Sequence, residues 1–221
     1  MTGQELINCF RELARDRVVP YLWSDDWILE QLNEGEREAC DRARLLFDDS
    51  TPAVTRLDVK AGQARYAIHP KIIDIQNAFF VQLGVGAPLH LAILDRRELD
   101  WRQTREWRSQ RGVPNALIHD GDCSVTLAPP PSVDGQLRLE TYRLPVEDFT
   151  LGGDPEIAEQ HQRNLVSWAL FRSYSIPDAD GQNQQLAALY HDRFESYFGR
   201  GIDARKRRFQ RANQPHANKL W

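Results

Sequence analysis

The sequence predicts an α+β protein: a four-helix bundle-like domain built from N- and C-terminal helix pairs, a mainly antiparallel β insertion between them, and an extended C-terminal tail. Three observations predict it. Apolar residues recur at helical spacing near both ends, the middle breaks into short β-type runs separated by turn dipeptides, and the last residues form a basic, polar extension. The expected boundaries are 1–50 for the first helix pair, 51–150 for the β domain, 151–199 for the second helix pair and 200–221 for the tail.

Thr2 followed by Glu5 matches a capping box, and Leu6, Phe10, Leu13 and Ala14 then recur at helical spacing to about Asp16. Ser24 can cap a second helix, with Asp25 and Asp26 where the helix dipole favours negative charge. Ile28, Leu32, Gly35, Ala39, Ala43 and Leu46 continue one face, its small residues permitting close packing.

After the Asp-Asp-Ser-Thr-Pro breaker at 48–52, β-type runs are expected at 53–60, 64–68, 72–83 and 89–94. Asp120-Gly121 and Asp134-Gly135 are hairpin signals joining runs at 116–119, 124–128 and 137–144. Residues 95–111 are strongly charged and are expected to form a helical turn and a loop whose Trp101 and Trp107 rings pack on the sheet. Pro129-Pro130-Pro131 marks an exposed edge or a rigid corner.

Helix returns at Asp154-Pro155-Glu156, an N-cap with a first-turn proline, followed by Ile157, Leu165, Trp168 and Ala169 on one face, and ends at Ile176-Pro177. A last helix carries Leu186, Leu189, Tyr190, Phe194 and Tyr197 and stops at Gly199.

The chain of 221 residues has a formal net charge of -4, which argues against a general nucleic-acid binder. Its distribution says more. Residues 199–221 hold seven bases (Arg200, Arg205, Lys206, Arg207, Arg208, Arg211 and Lys219) against Asp203, a surplus of six, so the remainder stands at -10. The start lacks the basic and apolar regions of a signal peptide, and no run approaches the roughly 18 apolar residues of a membrane span. Cys9, Cys40 and Cys123 are odd in number and far apart, which fits reduced thiols and cytoplasmic synthesis.

Motifs for chemistry are weak. Gly84-Val85-Gly86-Ala87-Pro88 lacks the third glycine of a phosphate loop. His119-Asp120-Gly121-Asp122-Cys123 offers three ligands that a tight hairpin points to opposite faces. Asp178, Asp180 and Gly181 lack the remaining ligands of a calcium loop. His161 is expected as a hydrogen-bonded core residue, Ser167 and Ser173 lack an elbow motif, and Glu34 with Glu38 suits a solvated face or ion pairs as well as acid-base work. No catalytic residue, metal or cofactor is therefore expected.

The tail is the residual feature. Arg205, Lys206, Arg207, Arg208, Phe209 and Arg211 precede a polar stretch and a terminal Leu220-Trp221. A buried Trp can anchor an interface with about 2 kcal/mol or more, while exposed charges mainly steer encounter. Steering plus anchor describes a docking peptide rather than a solubilising extension.

The order of these features resembles the head-to-tail adaptor (connector, neck) proteins of tailed bacteriophages. Residues carrying the resemblance are Tyr21-Leu22-Trp23-Ser24-Asp25, Leu32-Asn33-Glu34, Glu38-Ala39-Cys40 and Arg42-Ala43-Arg44. Trp107 with Gly112 and Pro114, Pro129-Pro130, Pro155-Glu156-Ile157 with His161, Leu165-Val166-Ser167-Trp168-Ala169 and the helix end 194–199 complete it. The resemblance implies a structural, non-enzymatic virion protein: a homo-oligomeric ring, usually a dodecamer, joining the portal protein to a tail nozzle or tail tube protein, near tail fibres, and lining part of the DNA channel. It implies a C-terminal extension lodged between portal subunits. The alternatives are a nucleic-acid-binding module using the basic tail and a hydrolase with an unrecognised carboxylate site.

Overall fold

The computed structural model describes residues 1–84, 86–102, 105–119, 123–177 and 182–201. It separates into a helical unit, residues 1–46 with 143–201, and a sheet unit comprising residues 47–142.

Local chemistry sets the first helices where expected. Helix α1 (Gly3–Ala14) has the capping box complete: Glu5 N–H donates to Thr2 Oγ1 at 3.2 Å, and Thr2 N–H to Glu5 Oε2 at 2.9 Å. Helix α2 (Asp25–Ala43) is capped by Ser24, whose Oγ accepts from Trp27 N–H at 3.2 Å. The chain then enters the sheet through β1 (Leu46–Asp48), a single helical turn α3 (Pro52–Thr55) and β2 (Arg56–Val59). The β-run expected from residue 53 is shortened because Pro52 takes a first-turn position and starts that turn.

Strands β3 (Arg65–Ala67), β4 (Ile72–Gln82) and β5 (Leu89–Leu94) are followed by α4 (Arg96–Arg102) and a 3-10 turn at Arg105–Arg108, then β6 (Ala116–His119), β7 (Ser124–Ala128) and β8 (Gly135–Arg143). The sheet has eight strands in the order β1-β8-β4-β5-β6-β7-β3, with β2 also pairing β8. Antiparallel pairs β4/β5, β6/β7, β3/β7 and β2/β8 surround one parallel pair, β5/β6, with Ala92 opposite Ala116.

This corrects the expected fold class. The sheet is a mixed, eight-stranded unit and not a small antiparallel insertion in a four-helix bundle. The physical reason lies in residues 95–115: this long connection, carrying α4, returns the chain to the opposite end of the sheet, which a parallel neighbour requires and a hairpin cannot supply. Asp134-Gly135 is likewise not a hairpin, since β7 and β8 are not neighbours. Gly135 is needed for another reason: a Cβ there would lie 2.6 Å from a Phe80 ring carbon and from the Val81 carbonyl oxygen. The three prolines form a tied corner rather than an exposed edge, with the Pro130 and Pro131 carbonyls accepting from Gly112 and Gly62.

The second helical segment also departs from expectation. No helix starts at Asp154; α5 (Glu159–Gln162) is a single turn, followed by α6 (Leu165–Ser175) and α7 (Gln184–Phe198). Residues 154–157 are used otherwise: Glu156 receives Arg143 Nη1 at 2.5 Å, and Ile157 N–H donates to Glu36 Oε1 at 3.1 Å. Helix α6 is a hub against which α1, α2 and α7 all pack, so the four long helices are not equal members of a bundle. Gly35 lets α2 approach α6, since a Cβ there would sit 3.0 Å from Trp168 Cβ.

Each unit has its own apolar centre. Leu6, Ile7, Phe10, Ile28, Leu32, Leu165, Leu170 and Phe194 fill the helical one. Val59, Ile75, Phe80, Leu91, Leu117, Leu127 and Leu137 fill the sheet, and Trp107 packs with Leu99 and Ile118 in a satellite cluster. Only one of the two tryptophans of 95–111 packs in this way: Trp107 is buried and donates Nε1–H to Asp100 at 2.8 Å, whereas Trp101 is 84% exposed.

Candidate functional site

The connection between α1 and α2 is the most constructed piece of surface in the helical unit. Arg15 ends α1 in the left-handed region at φ 59°, and the chain turns back under Arg11. Arg11 is buried, and its guanidinium donates to Asp16 at 2.8 Å, to the Trp23 carbonyl at 3.1 Å and to Asp25. It also stacks 3.6 Å from the Tyr21 ring centroid. Asp16 returns the constraint by accepting from Leu22 N–H at 3.1 Å. A single buried cation, two carboxylates and a ring thus hold a ten-residue connection in one shape.

What that shape presents is apolar. Trp23 turns inward, edge-on to Phe10 and Tyr174, while Val18 and Val19 are 77% and 73% exposed and Tyr21 and Leu22 stand half out of the surface. Beside them lies an open pocket of about 460 Å³, lined by Tyr21, Leu22, Trp23, Ser24 and Trp27 from one side and by Ser173 and Ile176 from the end of α6 on the other. Preorganised apolar residues around a concavity are the physical form of a docking surface.

The opposite end of α2 fixes the point from which the tail leaves. Arg42 lies over Trp168 and Phe194, with its guanidinium carbon 5.3 Å and 5.2 Å from their ring centroids, and bridges Glu38 at 3.0 Å and Glu195 at 3.8 Å. Its Nη1 donates to the Gly199 carbonyl at 3.4 Å. Gly199, at φ 89°, terminates α7 as expected.

A third group clamps residues 144–157 to α2. Asn33 exchanges two hydrogen bonds with the Phe149 backbone, at 2.9 Å and 3.1 Å, and Arg37 reaches Asp148 at 2.5 Å. Glu36, 1% exposed, accepts from Ile157 N–H, and burial is the main cause that pushes its carboxyl up to about 7; backbone donors oppose this and nearby Glu156 and Asp148 add to it. The same burial, with Glu36 close by, pushes the Cys40 thiol up, so Cys40 is an inert core residue.

The remaining sequence candidates do not converge into a reactive site. His161 is partly exposed and not a core residue; its ring pairs with the Tyr197 hydroxyl at 3.1 Å. Glu34 and Glu38 are engaged by Arg172 at 3.1 Å and by Arg42. Ser173 Oγ donates to the Ala169 carbonyl at 2.7 Å. His191, Asp192 and Glu195 offer ligand atoms within 4.8 Å of one another, but Glu195 is shared with Arg42 and Arg200. Val85, 120–122, 178–181 and the tail residues Arg205, Lys206, Arg207, Arg208, Phe209, Arg211, Leu220 and Trp221 lie outside the described residues. No helix among the described residues is long and apolar enough to cross a membrane.

The protein-family model described as SU10 adaptor protein matches residues 1–217, which takes in both units and most of the tail. The chain belongs to the SU10 adaptor protein family. It is therefore a structural adaptor protein of a bacteriophage and a virion component. No curated protein matches the chain. For an adaptor, the informative surfaces are those that meet other proteins, and the Tyr21–Trp27 pocket is one that sequence reasoning missed. Tyr21, Leu22 and Trp23 were conspicuous as residues, but the pocket exists only once α6 brings Ile176 beside them.

Proposed function

We propose that this adaptor forms the head-to-tail connection of its virion, a homo-oligomeric ring, expected as a dodecamer, between the portal protein and the tail nozzle or tail tube protein, enclosing part of the DNA channel. The observation that carries the reading is the family match across 1–217, because it includes the basic run of the tail with the folded units. Charge is consistent with it. The helical unit, 1–46 with 143–201, holds nineteen acids against eleven bases, while residues 202–221 hold six bases against one acid. Acidic walls repel DNA that must slide past them, and a basic tail seeks acidic clefts on a neighbour.

In this reading the 200–221 segment is the portal-docking peptide: Arg205, Lys206, Arg207, Arg208 and Arg211 steer, and Phe209, Leu220 and Trp221 anchor. Repetition round the ring makes modest single contacts cumulative. The test is co-sedimentation with purified portal rings of the intact chain and of a chain ending at Gly201. The truncated chain is expected to stay in the supernatant while the intact chain pellets; equal pelleting would remove the tail from the interface. Tight, tail-dependent binding of duplex DNA at physiological salt would favour a nucleic-acid module instead.

A further inference from the structure

We propose that the surface built on the α1–α2 connection is a two-fold self-association site, through which the free subunit pairs with a second copy of this chain. A two-fold contact uses one patch on both partners, so the patch must carry a projection and also the hollow that receives it. This surface has both. Val18 and Val19 stand largely exposed on the connection, and beside them opens the pocket of about 460 Å³ lined by Tyr21, Leu22, Trp27 and Ile176. The pocket accommodates two isopropyl groups, and its apolar lining suits them.

Charge follows the same arrangement. Arg17 directly precedes the projecting valines, and Asp26 falls between Ser24 and Trp27, which line the hollow. Both side chains are exposed, and among the described residues neither is held in an ion pair. The neighbouring acids Asp16 and Asp25 are already tied to Arg11. Seating the valines of one copy in the hollow of the other therefore sets Arg17 against Asp26 twice, once on each side of the axis. Basic projection and acidic hollow make the patch complementary to itself.

The Arg11 cage holds the connection in shape before any partner arrives, so little ordering opposes the contact. The patch is small, an apolar centre with a charged rim, and such contacts are weak, with dissociation constants of about 10–100 μM. This pairing goes beyond the ring reading, because a two-fold interface closes on a pair whereas a ring is built from head-to-tail contacts. Its effect is to cover the apolar surface of the connection while the subunit is free.

The test is sedimentation equilibrium of the full-length protein over a range of about 1 to 300 μM, which brackets the expected constant. No portal or tail component is present, so the outcome is separate from portal docking. A monomer–dimer equilibrium is expected. Arg17→Asp and Asp26→Arg each turn two attractions into two repulsions and should lower the association constant about thirtyfold. An equimolar mixture of the two variants should restore it, because the mixed pair again sets opposite charges together on both sides. Restoration needs no folding control, since two misfolded variants would not rescue each other. Val18→Asp, which places a charge on the apolar projection, should lower association about a hundredfold. Wild-type protein that stays monomeric at the highest concentration, or that forms species larger than a dimer, overturns the proposal. So does a dimer whose mixed variants associate no better than either variant alone.

Discussion

Replacing Glu36 by Gln should stabilise the helical unit, and only above mildly acidic pH. The carboxyl is displaced upward from 4.5 to about 7, chiefly by burial, so folding disfavours its charged form. The sign follows from linkage: a raised carboxyl contributes most below about 4.5, its contribution falls as pH rises toward 7, and above that the charged group is a constant burden. The displacement corresponds to about 3 kcal/mol at pH 8. Gln keeps an acceptor for Ile157 N–H, 3.1 Å away, but cannot also accept fully from the Glu156 backbone, which removes about 1 kcal/mol. The net expectation is a gain of about 2 kcal/mol at pH 8, or a rise in Tm of about 4–8 °C for a chain of this size. Thermal unfolding by near-ultraviolet circular dichroism, which reads Trp23 and Trp168, at pH 5 and pH 8 measures it. A variant whose advantage is the same at both pH values, or absent at pH 8, refutes the reasoning.

Other outcomes follow from the same coordinates. Arg11→Met leaves Asp16 buried without its cation, and chemical denaturation should show a loss of about 3 kcal/mol. Gly135→Ala forces a methyl against Phe80 and the Val81 carbonyl, and denaturation of the sheet unit should show a loss of about 1–3 kcal/mol. Trp107→Ala should cost about 3–5 kcal/mol and Trp101→Ala less than about 0.5, the same measurement separating the buried ring from the exposed one.

Features decided within a few residues were legible. The Thr2/Glu5 and Ser24 caps and the Gly199 stop depend on side chains one turn away, and each is realised. Features decided at long range were not. The parallel placement of β5 beside β6 depends on where a long connection returns, and runs at 89–94 and 116–119 read the same in either direction. Asp154-Pro155-Glu156 has the composition of a helix start, but Arg143 and Glu36 engage Glu156 and Ile157 from distant positions and outweigh local propensity. Trp101 and Trp107 carry equal local signals; Asp100 receives the indole of Trp107 and leaves Trp101 to solvent. The basic run at 205–211 is visible in the charge distribution alone, whereas the pocket at Tyr21–Trp27 needed the α1–α2 connection and the end of α6 to meet.

The sheet unit begins and ends at almost the same place. Phe47 and Tyr142, its first and last residues, meet edge to face with ring centroids 5.6 Å apart, and the Thr141 hydroxyl donates to the Asp48 carbonyl at 3.4 Å. A segment whose two ends are already neighbours can be lengthened, exchanged or excised with only a short closure left behind, because the flanking chain has no gap to span. A change made between Asp48 and Thr141 therefore need not move the two points at which the chain leaves and re-enters the helical unit.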